Sequence, residues 1–280
     1  MHSKMHAYIM LPHPWPVLVV LIATAAFGWL AAGGAPNPTR YALLLAGMLG
    51  GQLAIGALNE WLDRHADAAA KPWKPIPAGL VSPRAALGVV VGGLALMLVA
   101  GALLGGPELA VLALGTGAGL TYDLGIKRTP LSWLPYLVAL PLLPTWAWLV
   151  MDRFEPRLLW LYPVGALLTV AIHLAQVMPD IQWDRRLGER GLAVALGERR
   201  STVLLWTTSF ASAALVAAGA AWLGQRPLAG LVAAGVTTIV LLVALALSLR
   251  DPARVQRRLF QILTASAVVL GCGWTIAVVS

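Results

Sequence analysis

Long apolar stretches separated by short polar loops make up most of this chain. A helix needs about 20 apolar residues to cross a bilayer, and most of these stretches approach that length. The first stretch follows Lys4 as a signal peptide would, but it is long for one, so we expect it to remain as a span. The pattern predicts an all-α polytopic membrane protein with nine membrane-spanning helices, at about 15–33, 41–61, 85–104, 107–122, 131–150, 158–178, 203–223, 228–249 and 259–279.

Composition agrees with an integral membrane protein. Hydrophobic residues make up 59% of the 280 positions and charged residues only 11%, whereas soluble domains carry about 25% charged residues. The single cysteine, Cys272, excludes an internal disulfide and a cysteine-based metal site. No long polar linker or low-complexity segment interrupts the chain, so we expect one domain over residues 1–280.

The net charge of +8 is distributed unevenly between the two sides of the membrane. Most Lys and Arg residues fall in the N-terminal segment and in the loops 62–84, 123–130, 179–202 and 250–258. The exceptions are Arg40, Arg153, Arg157 and Arg226. The positive-inside rule then places the N-terminus in the cytoplasm and the C-terminus outside, in a plasma or inner membrane. The charge therefore indicates topology and not a nucleic-acid partner.

Polar side chains end the apolar run 41–58. Asn59, Asp63 and Asp67 are four residues apart, so on a helix each leads the last by about 40° and all three share one face. Carboxylates at the end of a membrane helix are costly unless water, a cation or a partner offsets their charge. This face is therefore a candidate site for a cation.

A second run, Gln176, Asp180 and Asp184, repeats the order amide, acid, acid at the same spacing after the apolar stretch 158–177. Carboxylate oxygens suit Mg²⁺, which proteins commonly bind through a few carboxylates and a substrate phosphate. Basic residues lie just beyond both runs, at Lys71, Lys74, Arg185 and Arg186. The combination predicts a Mg²⁺–diphosphate site open to the cytoplasm. For any single acid, a salt bridge with a neighbouring Lys or Arg is the alternative.

The two acidic runs also indicate an internal repeat. Residues 41–67 and 158–184 are each a helix that ends in amide, acid, acid, and each is followed by a basic loop and two further helices. This arrangement predicts one bundle of two four-helix halves plus a ninth helix. Repeats of this kind tend to place the functional site at their interface.

These motifs resemble those of the UbiA superfamily of intramembrane prenyltransferases. The segment from Asn59 to Asp67 is similar to the first Asp-rich motif of that family, and Asp180 to Asp184 to the second. The segment Lys74-Pro-Ile-Pro-Ala-Gly79 resembles the Arg-Pro-Ile-Pro-Ser-Gly that often follows the first motif. Tyr122 to Arg128 resembles the short segment between the two motifs. The likeness extends from about residue 10 to the C-terminus.

The resemblance implies a Mg²⁺-dependent enzyme that moves a prenyl group from a prenyl diphosphate to a lipid-soluble or interfacial acceptor. The metal ligands would be Asp63, Asp67, Asp180 and Asp184, with Asn59 in support. Lys74 and Lys127 are the first candidates for diphosphate contact. The further candidates for this contact are Tyr122, Lys71, Arg128, Arg185 and Arg186.

Three further polar residues are candidates on the acceptor side. Gln52 and His173 each lie seven residues before the motif that follows them, and Gln176 occupies a position where some family members carry an acid. A lone intramembrane Gln or His more often bonds a neighbouring helix. The acceptor class stays open between aromatic or quinone, chlorophyll-type and glycerol-phosphate lipids.

The chain departs from the family pattern at two more positions. Glu60 replaces the usual Asp and points off the Asn59 face, so we expect it to have little effect. His13-Pro14 stands near the Arg-Pro of many members, which weakens the expectation of a cationic diphosphate contact there. Two other functions also fit the residues: an intramembrane terpene cyclase, which needs no acceptor, and an ion-coupled transporter.

Overall fold

The computed structural model describes residues 4–279. Within this range the chain forms helices and no strand, which confirms the predicted all-α class. Short 3₁₀ helices cover Ile126–Arg128, Pro156–Trp160 and Met178–Asp180. The α-helices are α1 (Lys4–Met10), α2 (Pro14–Ala32), α3 (Pro38–Ala70), α4 (Pro83–Leu104), α5 (Gly106–Leu124), α6 (Leu134–Val150), α7 (Leu161–Val177), α8 (Ile181–Arg186), α9 (Leu192–Leu196), α10 (Glu198–Leu223), α11 (Pro227–Arg250) and α12 (Pro252–Val278).

Six helices of the described part are long and apolar enough to cross a membrane: α2, α3, α4, α10, α11 and residues Arg254–Val278 of α12. A bent pair, Pro156–Pro163 and Gly165–Arg186, meets at 48° and would add a seventh span. The helix α6 is apolar but has only 17 residues. The protein is therefore a multi-pass membrane protein, while the count of nine spans stays a prediction.

The chain forms two compact units. The first contains residues 4–124 and Trp146–Arg153, and the second contains Gly125–Thr145 and residues 154–279. In the first unit α3 contacts α2, α4 and α5. In the second unit α7, α10, α11 and α12 pack together.

The helix α3 is the longest element of the first unit. Its start is fixed by Pro38 at the first turn and by Asn37, whose side chain accepts hydrogen bonds from the amides of Thr39 and Arg40. With 33 residues and a rise of 1.5 Å per residue, α3 is about 50 Å long, well over the ~30 Å hydrocarbon core of a bilayer. Its acidic last turns therefore extend beyond the apolar part.

Glycines bring α3 and α4 into close contact. A Cβ added to Gly50 would lie 2.6 Å from the carbonyl oxygen of Gly93, and one added to Gly93 would lie 2.7 Å from the carbonyl oxygen of Gly50. Helices in membranes associate through such small residues, because the backbones can approach closely. This contact fixes the position of α3 against α4.

An ionic cluster stabilises the first unit at the other end of α3. Arg40 Nη2 lies 3.0 Å from Asp152 Oδ1 and 3.4 Å from Glu108 Oε1. The indole Nε1 of Trp146 donates a hydrogen bond to the Glu108 carbonyl at 3.0 Å. These contacts connect α3, α5 and the end of α6 within the unit, and so explain why Trp146–Arg153 belongs to it.

The structure differs from the predicted elements at the second acidic run. The expected helix over 158–178 begins as the 3₁₀ turn Pro156–Trp160, and α7 ends at Val177. Pro179 lacks the amide that would continue the helical hydrogen bonds, and a 3₁₀ turn, Met178–Asp180, follows before α8 begins. Gln176, Asp180 and Asp184 therefore do not lie on one continuous α-helix as the first run does.

Candidate functional site

The last turns of α3 present the first acidic run as a connected group. Asn59 Nδ2 donates a hydrogen bond to Asp63 Oδ2 at 3.3 Å, which agrees with the predicted shared face. The same Nδ2 donates a shorter bond, 2.7 Å, to Oδ1 of Asp123 on α5. One amide group therefore holds two carboxylates, and Asn59 acts here as a hydrogen-bond donor.

Asp123 was not anticipated from the sequence. It is 5% exposed and lies at the end of α5, beside the predicted Tyr122, which is half-buried. A signal was available, because an acid at the end of an apolar helix is costly unless it is paired. The same argument that singled out Asp63 applies to Asp123.

Glu60 belongs to a second polar group, which its position off the Asn59 face does not indicate; that it has little effect on the reaction stays a prediction. Glu60 is 1% exposed and occupies the centre of this group. Its Oε1 lies 2.6 Å from Lys74 Nζ and 3.2 Å from His13 Nε2. A residue that seemed peripheral on the helical wheel is thus one of the most buried charges of the first unit.

Lys74 joins this second group to the acidic run. Its Nζ donates to Asp67 Oδ2 at 2.7 Å in addition to its contact with Glu60. Asp67 is 7% exposed, so the ion pair is largely shielded from solvent. Of the predicted metal ligands of α3, Asp67 therefore pairs with a lysine in this structure, while Asp63 bonds Asn59.

The loop after α3 directs Lys74 back towards the helix. Pro75 accepts hydrogen bonds through its carbonyl from the amides of Leu80 and Val81, at 3.0 and 3.1 Å. Ile76 is buried in an apolar cluster with Ala57 and other residues of α3 and α4. Gly79 takes φ +70°, a left-handed conformation that glycine adopts without strain. The sequence Lys-Pro-Ile-Pro-Ala-Gly therefore folds as a compact turn with a fixed lysine.

His13 reaches the site from the junction between α1 and α2. Its Nε2 lies 3.3 Å from Asn59 Oδ1 and 3.2 Å from Glu60 Oε1. The backbone takes φ +57°, which is unusual for a side chain other than glycine. The junction can lie on α3 because residue 56 is a glycine: a Cβ there would be 2.4 Å from the carbonyl oxygen of Pro12.

The pKa values of the two basic groups around Glu60 shift in opposite directions. Burial lowers the pKa of His13, and the attraction of Glu60 only partly opposes this. Burial also acts to lower the pKa of Lys74, but hydrogen bonds to Asp67 and Glu60 outweigh it and raise the pKa. At neutral pH the lysine is therefore the cation of this group, and His13 is neutral.

In the second unit, Asp180 and Asp184 are both half-buried at the turn around α8. The turn is closed after α8 by Gly188, which has φ +74°, and by a 3.0 Å hydrogen bond from the Glu189 amide to the Asp184 carbonyl. Arg185 and Arg186 are exposed on the same helix. Both acids stay accessible, as a ligand site requires.

The basic segment after α5 forms the 3₁₀ helix Ile126–Arg128. Arg128 Nε lies 3.2 Å from Glu189 Oε1, and its carbonyl accepts a 3.1 Å hydrogen bond from the Arg190 amide. Lys127 is half-buried beside it. Arg128 thus connects this segment to the loop after α8. The remaining predicted basic residue, Lys71, belongs to the first unit and is half-buried at the end of α3.

The predicted acceptor-side residues have different surroundings. Gln52 Nε2 donates a weak hydrogen bond to Met48 Sδ, at 3.9 Å, on its own helix. His173 is fully buried, and its Nε2 lies 2.9 Å from Ser132 Oγ, which also accepts the Leu192 amide at 3.0 Å. Ser132 lies in the turn before α6, so His173 bonds a neighbouring segment, close to the alternative of bonding a neighbouring helix.

Gln176 belongs to a polar pair that the sequence did not indicate. Its Oε1 accepts a hydrogen bond from the Tyr136 hydroxyl. The Tyr136 ring also lies against His173, with the ring centroids 5.0 Å apart. Gln176 itself is exposed one turn before Asp180.

No three His, Cys, Asp or Glu side chains among residues 4–279 come together at metal-binding distance. The two acidic runs belong to different compact units, the first run to one and the second to the other.

Comparison with known proteins gives the family. The family model described as the UbiA prenyltransferase family matches residues 19–267. The chain belongs to this family. The predicted membership of the UbiA superfamily is thus confirmed, and at the level of the family so is the expectation of a prenyltransferase.

Two named relatives within the UbiA family differ in their activities. The digeranylgeranylglyceryl phosphate synthase of Natronomonas pharaonis is 32% identical over 177 residues, which cover 62% of this chain and 63% of that protein, less than two thirds of its length. The bacteriochlorophyll synthase 33 kDa chain of Cereibacter sphaeroides is 30% identical over 225 residues, covering 76% of this chain and 74% of that one. The family is therefore shared, while the activity of either relative is not thereby assigned.

Solved structures show the same fold. A UbiA homolog from Archaeoglobus fulgidus, bound to GPP and Mg²⁺, aligns with a TM-score of 0.74 over 95% of this chain and 98% of that one. The sequence identity in this alignment is 18%. At this level the likeness establishes the fold, and the ligands are those of the other protein.

Proposed function

We propose that the protein is a Mg²⁺-dependent prenyltransferase that moves a prenyl group from a prenyl diphosphate to a lipid-soluble or interfacial acceptor and releases diphosphate. The observation that carries the proposal is the pair of carboxylates, Asp63 and Asp123, held by the Asn59 amide where α3 leaves its apolar part. Family membership and the Mg²⁺- and GPP-bound state of a structural relative support it.

The oxygen donors of the site fit a hard divalent cation. Asp63, Asp67, Asp180 and Asp184 are assigned as ligands, with Asn59 as the group that orients Asp63. Carboxylates near the membrane surface, some of them exposed enough to keep water, match the preference of Mg²⁺ for a few carboxylates, waters and phosphate oxygens. When bound, Mg²⁺ neutralises charge that develops on the departing diphosphate.

The basic residues would bind the diphosphate. Lys74 is the leading candidate for two reasons. The loop that carries it holds its ammonium group against the Asp67 carboxylate, and the raised pKa of Lys74 keeps that group charged at neutral pH. Lys127, Lys71, Arg185 and Arg186 add positive charge near the two acidic runs. Such groups accelerate the reaction if they bind the diphosphate more tightly as its bond to carbon breaks. Tyr122 and Arg128 complete the assigned set.

The apolar helices would keep water away from the reacting prenyl group. An allylic cation formed on departure of diphosphate reacts with water unless water is excluded. The apolar side chains of α3 that precede Asn59 in the chain provide such surroundings. Gln52, His173 and Gln176 are proposed on the acceptor side, and the Tyr136–Gln176 pair is the best placed of these to hydrogen-bond a polar acceptor group, since Gln176 is exposed.

We also propose that nine helices cross the membrane, that the N-terminus is cytoplasmic and that the site opens to the cytoplasm. The clustering of Lys and Arg in the loops next to both acidic runs supports this orientation. The named relatives favour a glycerol-phosphate lipid or a chlorophyll-type acceptor as the first to be tried.

The test uses the purified full-length protein in detergent with radiolabelled geranylgeranyl diphosphate. Labelled product should form only with both Mg²⁺ and one of these acceptors, and EDTA should abolish it. Product formed without an acceptor would instead indicate a cyclase, and binding of diphosphate without any product would favour a transporter.

Variants then test the assigned ligands. Asp63→Ala and Asp180→Ala should each reduce turnover by a factor of about a hundred to a thousand, the range of lost electrostatic catalysis, while membrane insertion and the thermal unfolding midpoint stay near those of the wild type. Glu155→Gln, the same loss of a charge at an exposed side chain, should leave turnover unchanged. Near-normal turnover in either Ala variant would refute the assignment.

A further inference from the structure

Glu60 is a buried acid with no assigned role in the proposed reaction. It is 1% exposed, and its Oε1 receives both Lys74 Nζ at 2.6 Å and His13 Nε2 at 3.2 Å. Its other oxygen, Oε2, is buried and has no hydrogen-bond partner among the described residues. A buried carboxylate in this state is costly, so a specific benefit is expected to accompany it.

The charges around Lys74 do not balance. The group contains two carboxylates, Glu60 and Asp67, and one lysine, Lys74, whose ammonium group contacts both. One ammonium group therefore serves two acids, at 2.6 Å and 2.7 Å. Excess negative charge in a shielded position favours the arrival of a further cation.

We propose that Glu60 is a positioning residue that keeps Lys74 at the site after Lys74 gives up Asp67 to a divalent cation. In the structure Lys74 Nζ lies 2.7 Å from Asp67 Oδ2 and holds that carboxylate in place. When a cation binds Asp67, the attraction of Glu60 retains the ammonium group within reach of the diphosphate instead of releasing it to solvent. This inference rests on the proposed function, because it takes Asp67 as a metal ligand.

The two acids that contact Lys74, Glu60 and Asp67, differ in how easily each could bind a metal ion instead. Glu60 is enclosed by α3, the Lys74 loop and the α1–α2 junction that carries His13. Asp67 lies two turns further along α3, near the helix end at Ala70. The buried acid is thus suited to hold the lysine permanently, and the terminal acid to exchange its partner.

The proposal predicts opposite effects on cation binding. Lys74→Met removes the group that competes for Asp67, so affinity for Mn²⁺ in the absence of prenyl diphosphate should rise by about tenfold, the factor that corresponds to about 1.4 kcal/mol. Glu60→Gln leaves Asp67 as the acid paired with Lys74, so Mn²⁺ affinity should fall several-fold. Glu60→Asp keeps the negative charge, so its Mn²⁺ affinity should be close to that of the wild type.

Kinetics separate the role of Glu60 from general stability. In saturating Mg²⁺, Glu60→Gln should raise KM for the prenyl diphosphate more than it lowers kcat, since Lys74 is no longer retained near the diphosphate. A purely structural role would lower the amount of active protein and leave KM unchanged. Lys74→Met leaves Glu60 buried without its lysine partner, which could itself disturb the fold. The double variant Glu60→Gln/Lys74→Met, in which both side chains are neutral, is therefore the second measurement. It should also bind Mn²⁺ more tightly than the wild type.

The experiment is a Mn²⁺ titration of the purified full-length protein by electron paramagnetic resonance, followed by steady-state kinetics. Arg84→Gln and Glu155→Gln are the controls, because both side chains are exposed and carry the same charges as Lys74 and Glu60. If the wild type binds Mn²⁺ and turns over substrate but neither Lys74 variant binds Mn²⁺ more tightly, only the role of Glu60 and Lys74 is refuted. If the wild type neither binds Mn²⁺ nor forms product, the proposed function fails as well.

Discussion

Asn59 connects carboxylates from two helices with a single amide group. Its Nδ2 lies 2.7 Å from Asp123 Oδ1 and 3.3 Å from Asp63 Oδ2, so the closer partner is the one on α5. Its Oδ1 faces His13 Nε2 at 3.3 Å. Each polar atom of this side chain is thus engaged, and the orientation of Asp63 depends on a residue outside the first acidic run.

Asp123→Ala should therefore lower kcat/KM for the prenyl diphosphate by about tenfold to a hundredfold. The change removes a buried partner of Asn59 and so frees the amide that orients Asp63; losing a hydrogen bond to a charged group costs about 1.5–3 kcal/mol. The measurement is steady-state kinetics with varied Mg²⁺, in which the Mg²⁺ requirement should also rise. Thr121→Ala, an exposed side chain on the same helix, is the control. Wild-type kcat/KM in Asp123→Ala would contradict the orienting role.

Single residues also show where sequence reasoning ends. The spacing of Asn59, Asp63 and Asp67 was enough to predict their shared face, because helical periodicity depends only on local geometry. The same reasoning does not reveal the contacts of Glu60, because its partners, Lys74 and His13, come from a loop and from the junction between α1 and α2. Contacts of this kind depend on how the loop folds, and helical periodicity does not contain them.

Among the elements, the α3–α4 contact controls where the acidic end of α3 lies. Gly50 and Gly93 approach each other so closely that a Cβ on either would lie within 2.7 Å of the other's carbonyl oxygen. Gly92, the neighbour of Gly93, faces open space. Adjacent glycines in α4 thus have opposite packing environments.

Gly93→Ala should destabilise the protein by about 1–3 kcal/mol, the usual cost of overpacking, because both the Gly50 carbonyl and the Ala54 amide would have to move. Gly92→Ala should change stability by less than about 1 kcal/mol and in the stabilising direction, since alanine favours a helix over glycine. Unfolding in mixed detergent micelles, followed by circular dichroism, measures both. Equal effects of the two substitutions would show that the close contact is not formed in the membrane protein.

The limits of the helices could be predicted where local signals exist. Asn37-Pro38 and Ser82-Pro83 begin α3 and α4, as the preference for such capping residues before proline indicates. The break at Pro179 is signalled by the proline itself, which lacks the amide that a helix needs, whereas the repeated acidic spacing alone predicts a continuous helix. The short helix α1 was also missed, since seven residues are too few to show a clear period.

For the whole molecule, the second compact unit begins at Gly125, directly after α5. The sequence suggested a division near this point from the repeated acidic runs. It did not suggest that Trp146–Arg153 would join the first unit, which follows from the bond between Trp146 and Glu108 and from the ion pair of Arg40 with Asp152. Both are contacts between residues far apart in the chain.

The proposed orientation of the whole molecule can be tested with its single cysteine removed. In a Cys272→Ser background, Ala78→Cys and Gln225→Cys each place one thiol at an exposed loop position on opposite predicted sides of the membrane. A membrane-impermeant maleimide applied to intact spheroplasts should label Gln225→Cys, whereas Ala78→Cys should react only after permeabilisation, because the loops rich in Lys and Arg stay in the cytoplasm. The Cys-less parent should not be labelled in either condition. The reverse pattern would place the Lys74 loop, and with it the acidic end of α3, outside the cell, where a diphosphate substrate made in the cytoplasm does not reach it.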